Sequence, residues 1–358
     1  MTAAAGLDQR PNGAAIEADA FCAWADHALP ALGTGPLRQQ VLAGGSSNIV
    51  IRVDRGGVPM IVRRPPLALR PDSLKVIARE ARVLEALRGT PVPCPAFQAY
   101  CPDPGIIGAP FYVMSLVEGF VGYPFDRLPP PYDRPGEPRR DMAFALVDAL
   151  AELARTDYRA LGLADFGKPE GFLERQVARW LSQLESYRET ESYEQRDLPG
   201  LAYVVEWLRD NTPPMSPPGV LHGDYSFANA IFAPGEPPRV AAMIDWELAT
   251  IGDPLLDLGL LLYPFNGRDE RTPPAGYFDP TGFPFREELA ERWAERSGRK
   301  VENMNYYIVL IQFKMAAILE RQHARVLNGK QSKELGGFAE AMVPGLVAKA
   351  CAMAKGTA

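Results

Sequence analysis

The sequence predicts an α+β protein of two lobes, an N-terminal antiparallel-sheet lobe followed by a mostly helical C-terminal lobe. Three observations predict it. Residues 37–63 hold three short runs rich in β-branched residues, parted by glycine clusters. A proline-rich stretch at 121–140 then interrupts the chain. Beyond it, apolar residues recur at helical spacing over six segments. With 358 residues the chain can fill two such units.

The elements follow in order. Residues 1–14 read as a flexible tail. Ile16, Phe21, Ala25 and Leu29 fall on one helical stripe that stops at Pro30. Strands are expected at 37–43, 48–54 and 58–63, with turns at Gly44-Gly45-Ser46-Ser47 and Asp54-Arg55-Gly56-Gly57. A helix begins near Pro71-Asp72-Ser73 and aligns Leu74, Ile77, Ala81 and Leu84. Further strands are expected at 96–100 and 110–117, so the first lobe spans 15–119. The second lobe spans 120–358, with 121–140 as a surface connection. Its helices are expected at 141–155, 171–188, 201–210, 287–297, 303–327 and 337–354, with short strands at 219–221 and 240–244.

Composition removes several classes. A net charge of −6 disfavours a bulk nucleic-acid or anionic-membrane binder. Cys22, Cys94, Cys101 and Cys351 form no C-x-x-C pair, and there are only three histidines, so no disulfide framework or zinc site is expected. The first residues carry no basic stretch followed by an apolar run, and no segment reaches the ~18–20 apolar residues of a membrane span. A cytoplasmic, reduced protein without membrane or nucleic-acid partners is expected; nothing fixes an oligomeric state. The chain has 8 Lys against 30 Arg, and the first is Lys75. Any cation needed in the first 74 residues must therefore be Arg.

The densest chemical signal is Leu221-His222-Gly223-Asp224, with Asn229 five residues after Asp224. Ile244-Asp245-Trp246-Glu247 follows at the end of a strand-like run. A hairpin turning at Pro234-Gly235-Glu236-Pro237 would bring Asn229 and Asp245 to one end. Phosphoryl transfer needs such parts: one carboxylate to take the proton of the attacking hydroxyl, and hard oxygen donors for Mg²⁺. Upstream, Gly44, Gly45, Ser46, Ser47 and Asn48 form a turn whose backbone N–H groups can approach phosphates. The third strand offers Arg63 and Arg64 and no Lys. Side chains alternate along a strand, so only one of the two can face a cleft and the other is expected in solvent. Glu80 is the acidic candidate on the helix that follows. His222 reads as an orienting residue, and Asp253 and Asp257 as caps that hold the site. Glu247 stays open between metal ligand and surface charge.

The pattern HGDxxxxN…IDWE resembles the aminoglycoside phosphotransferase and choline kinase superfamily, whose fold is protein-kinase-like. VRRPP at 62–66, REARVLEAL at 79–87, FYVMSLVEG at 111–119, the block at 162–180 and IDWELATIGDPLLDLG at 244–259 look like one subgroup. That subgroup includes the kinase-like domain fused to acyl-CoA dehydrogenases. There the usual third-strand Lys is commonly Arg, which Arg63 matches. The subgroup's frequent His after the first helix of the second lobe is absent; the run here is Leu150-Ala151-Glu152-Leu153-Ala154.

The resemblance implies Asp224 as catalytic base, Asn229 and Asp245 as Mg²⁺ ligands, and Arg63 with Glu80 as the phosphate-orienting pair. It implies a hinge over Phe111–Gly119, with Met114, Leu116 and Val117 beside the adenine of ATP. The expected activity is ATP- and Mg²⁺-dependent phosphorylation of a small-molecule hydroxyl, with a hydroxy acid or hydroxyacyl-CoA first. The alternatives are an aminoglycoside or macrolide kinase, a nucleotide-binding pseudokinase, and a metal-dependent hydrolase using His222, Asp224, Asp245 and Asp257.

Overall fold

The structure is a computed structural model that describes residues 15–44, 48–67, 71–187, 193, 196–270, 277–327 and 333–357. The expected tail 1–14 and the turn residues Gly45, Ser46 and Ser47 lie outside them. The chain forms two compact units. The first holds Met1–Glu118 together with Ile244–Ala249; the second holds Gly119–Met243 and Thr250–Ala358.

In the first unit the order is α1 (Ala18–Ala28), β1 (Arg38–Gly44), β2 (Ile49–Asp54), β3 (Met60–Arg64), α2 (Pro71–Leu87), β4 (Phe97–Cys101) and β5 (Phe111–Ser115). The strands make one antiparallel sheet in the order β1-β2-β3-β5-β4. Strand alternation sorts the residues onto two faces. Ile51, Val53, Met60, Val62, Phe111 and Val113 join Phe21, Ala25 and Leu29 of α1 in one apolar core. Trp24 sets its ring edge-on to Phe111, 4.8 Å between centroids. The opposite face carries Arg63 and Tyr112, which the register places side by side on β3 and β5.

Arg64 corrects a sequence expectation. It is fully buried rather than solvated. The reason is the position of β3, an interior strand paired on both sides and covered on both faces, with all five residues buried. Its Nη1 donates to the carbonyl of Pro65 at 3.0 Å.

The second unit comprises β6 (Phe120–Val121), α3 (Glu137–Ala154), α4 (Glu174–Ser186), α5 (Leu201–Asp210), β7 (Gly219–Leu221), β8 (Ala230–Phe232), β9 (Val240–Met243), β10 (Thr250–Gly252), α6 (Pro254–Leu262), α7 (Arg286–Ser297), α8 (Met304–Leu327) and α9 (Lys333–Ala354). β6, β8 and β9 pair in one small sheet and β7 with β10 in another. The proline-rich stretch is not wholly surface, because Phe125, Leu128 and Tyr132 are buried. The sequence reading gave no helix over 254–262. All nine residues of α6 are buried, so the segment has no polar face and no readable period. Asp253 caps it, accepting the N–H of Leu255 at 3.0 Å and the hydroxyl of Tyr307 at 2.8 Å.

Gly337–Ala354 also departs from expectation. By length and composition alone it is apolar enough to cross a membrane. Half of it is buried, and Ala339, Val343, Leu346, Val347 and Ala350 belong to the core. That is the pattern of a core helix rich in small residues.

Candidate active site

In the first unit the site grows from the pairing of β3 with β5. Arg63 and Tyr112 share a face, and α2 brings Glu80 against both. The guanidinium Nε of Arg63 lies 2.9 Å from Glu80 Oε2, and the Tyr112 hydroxyl donates to the same oxygen at 2.8 Å. The Asn48 amide donates to Glu80 Oε1 at 3.3 Å and to Glu247 Oε2 at 3.5 Å. The other end of the guanidinium, Nη2, donates to Asp245 Oδ1. Glu80 is fully buried and Arg63 nearly so. Ile244–Ala249 is held against α2, where Arg79 Nη2 donates to the carbonyl of Ala249 at 3.2 Å. Asp245 sits at φ 68°, ψ 65°, a left-handed conformation that Asp tolerates better than most residues. The chain turns there into a short 3₁₀ segment, Trp246–Leu248.

The charges follow from burial. Glu80, Asp245 and Tyr112 all favour the cationic form of Arg63, and together they outweigh its desolvation. Burial pushes the Glu80 carboxyl up to about 7, against the opposing pull of Arg63 and the Tyr112 hydrogen bond. The folded value lies above the ordinary 4.5, so the folded protein holds this proton more tightly than the unfolded chain. Glu80's contribution to stability is therefore full below about pH 4.5 and is lost as pH rises to about 7. Glu80→Gln should flatten that part of the stability–pH curve, read from melting temperatures across the window.

Glu80, Asp245 and Glu247 present carboxylate oxygens within 4.8 Å of one another. Hard oxygen donors of this kind suit Mg²⁺. Asp245 and Glu247 are partly exposed, whereas Glu80 is buried and engaged by Arg63, Tyr112 and Asn48. The fit to a divalent ion therefore rests on Asp245 and Glu247.

In the second unit β7 delivers His222, Gly223 and Asp224. Asp257 of α6 accepts the backbone N–H groups of His222 and Gly223, at 2.6 and 2.9 Å. Burial pushes this carboxyl up to about 6, and the two N–H bonds oppose the shift. His222 is fully buried, and its Nδ1 accepts the backbone N–H of Asp224 at 3.3 Å. A nitrogen that accepts carries no proton, so the ring orients the loop. Asn229 Nδ2 donates to the Asp224 carbonyl at 2.7 Å and to its Oδ2 at 3.0 Å. That leaves the Asn229 side-chain oxygen as the atom with metal-ligating chemistry. The hairpin pairs Ala230 with Met243, so Asn229 immediately precedes one strand and Ile244 immediately follows the other.

The remaining expected residues are placed as follows. Gly44 closes β1, and Asn48 precedes β2. Met114 lies on β5 beside Ile61, while Leu116 and Val117 follow the strand and are half-buried. Sequence reasoning missed Tyr112, which lay inside the expected hinge without a charge to mark it. It also left the carboxylate of Glu247 undecided.

The family profile described as "Phosphotransferase enzyme family" matches residues 38–298. The chain belongs to this family. The match takes in β3, α2, the His222–Asp224 loop and the Asp245 segment. A curated relative, acyl-CoA dehydrogenase family member 11 of Gallus gallus, is 32% identical over 339 residues. The alignment covers 91% of this chain and 42% of the relative. The chain thus spans less than half the length of that relative. Among solved structures, a Ralstonia eutropha protein with a provisional aminoglycoside phosphotransferase name superposes with a TM-score of 0.79 at 27% identity, covering 96% of this chain and 99% of that one. The ethanolamine kinase of Plasmodium vivax, at 13% identity and a TM-score of 0.55 over 94% of this chain and 87% of that one, shares the fold. The family's kinase-like α+β fold is therefore that of this chain.

Proposed function

We propose that this chain is an ATP- and Mg²⁺-dependent phosphotransferase that phosphorylates a hydroxyl of a small molecule. The observation that carries the reading is the buried Arg63–Glu80 pair with Asp245 on the far side of the guanidinium. A kinase needs a cation on the third strand, held by an acidic residue of the next helix. Arg63 supplies it despite the missing Lys, and that supports an active enzyme over a pseudokinase. A planar guanidinium can also grip phosphate oxygens through two parallel bonds.

The chain's residues take these parts. The Asp224 carboxylate receives the acceptor hydroxyl's proton as the new O–P bond forms, and the bond from the γ-phosphorus to ADP breaks. Arg63 orients the phosphates. The glycine-rich segment 44–48 is assigned to the phosphates by its sequence, and Met114, Leu116 and Val117 offer apolar surface to the adenine. Asp245 and Glu247 would hold a Mg²⁺ ion through oxygen, and the side-chain oxygen of Asn229 offers the same chemistry. Mg²⁺ when bound neutralises phosphate charge.

We assign the acceptor to the hydroxy acids or hydroxyacyl-CoAs, which the acyl-CoA dehydrogenase names of the curated relatives support. The Ralstonia protein's name supports the second reading, an aminoglycoside. We place the protein in the cytoplasm, acting on a soluble substrate rather than on nucleic acid or membrane. The test is a mass-spectrometric screen of hydroxyacyl-CoAs, hydroxy acids, aminoglycosides and macrolides with MgATP. Phosphorylated hydroxyacyl product is the expected outcome. Nucleotide binding without any product would favour the pseudokinase.

A further inference from the structure

The His222–Asp224 loop is gripped by a cation that its own motif does not contain. Lys314 lies in the middle of α8, inside the apolar run Tyr306–Leu319, and is buried. Its Nζ donates to the carbonyl of Gly223 at 2.9 Å. The other end of that same peptide unit, the Asp224 N–H, donates to His222 Nδ1 at 3.3 Å. Both ends of the peptide that carries Asp224 are therefore fixed by side chains.

From α6, Asp257 takes the two preceding N–H groups. Two buried side chains of opposite charge thus hold three consecutive peptide units, one through carbonyl oxygen and the other through N–H. The conformation they hold is not a default one, because Gly223 sits at φ +84°.

Burying an ammonium is costly unless it is compensated. Asp224 and Asp257 provide the compensation, against burial and the like charge of Arg179. The Lys314 ammonium meets the Gly223 carbonyl and lies 5.7 Å from the centre of the Trp180 ring. The carbonyl gives it a hydrogen bond that an apolar side chain could not make.

We propose that Lys314 is a positioning residue for phosphoryl transfer, fixing the Gly223–Asp224 peptide so that the Asp224 carboxylate stays in reacting geometry. The proposal rests on the reading of Asp224 as the base. Misplacing a reacting group by about 1 Å can cost ~100-fold in rate.

The experiment uses the full chain with MgATP alone, water serving as acceptor, beside hydrogen exchange of the 219–226 backbone. Lys314→Met should lower kcat for MgATP hydrolysis by ~10–100-fold with KM for ATP unchanged. It should also speed exchange at Gly223 and Asp224 while α8 keeps its protection. Lys314→Gln, which keeps a donor without the charge, should recover part of both. It also supplies the measurement if the methionine variant does not fold.

Wild-type kcat in a folded variant, or a rise in KM with kcat unchanged, overturns the proposal. If the wild-type chain neither binds nor hydrolyses MgATP, the phosphotransferase reading fails. The clamp is then judged by exchange alone, and unchanged protection of Gly223 and Asp224 in Lys314→Met overturns it.

Discussion

Replacing Asp224 with alanine should lower phosphoryl-transfer turnover by ~10²–10⁴-fold, the range of a positioned general base, with little change in MgATP affinity. The loop should survive the change, because its attachments are largely main chain. The Asp224 N–H stays on His222, the Gly223 carbonyl on Lys314, and the Asp224 carbonyl on the Asn229 amide at 2.7 Å. The 3.0 Å bond from Asn229 to the carboxylate is lost, together with part of the charge that compensates Lys314. A coupled assay of ADP release, run beside a thermal melt, checks both halves. Unchanged turnover in a folded variant would take the base's role away from Asp224.

The second large effect is expected in stability. Arg63→Met removes the cation from a fully buried carboxylate, and breaking a buried pair from one side costs ~3–5 kcal/mol. Tyr112 and Asn48 would remain on Glu80, but neither carries a positive charge. Removing both partners, Arg63→Met with Glu80→Gln, should restore much of the loss, because no uncompensated charge stays behind. Arg63→Lys keeps the charge and loses the fork that spans Glu80 and Asp245, so it should fall between. Urea unfolding of the four proteins checks the order. Equal losses in the single and double variants would mean that packing, not charge, explains the cost.

Much of this site was legible in the sequence, for physical reasons that differ from residue to residue. Glycine clusters and β-branched runs marked β1, β2 and β3, because those residues have few other uses in combination. Strand alternation required Arg63 and Arg64 to point to opposite faces, and Arg63 does meet Glu80. It could not say that both faces were covered. The partner on the far face is α1, whose apolar stripe was read without being given a place to pack. Tyr112 was hidden because β5 inserts beside β3, a neighbour that sequence order does not imply. α6 was hidden by being apolar all round. Lys314 was visible as the one basic residue in the apolar run Tyr306–Leu319. Its meaning required the loop that α8 packs beside.

The segment Ile244–Ala249 completes the first unit from far along the chain. On the ribosome, where chains grow at roughly 5–20 residues per second, the five-stranded sheet and α2 are finished many seconds before Asp245 is made. In that interval Arg63 has Glu80 to face but not Asp245, and Arg79 lacks the Ala249 carbonyl. The nascent N-terminal unit is thus a receptor waiting for a peptide of its own chain. A stop codon placed before residue 244 would leave the already translated N-terminal unit without this segment.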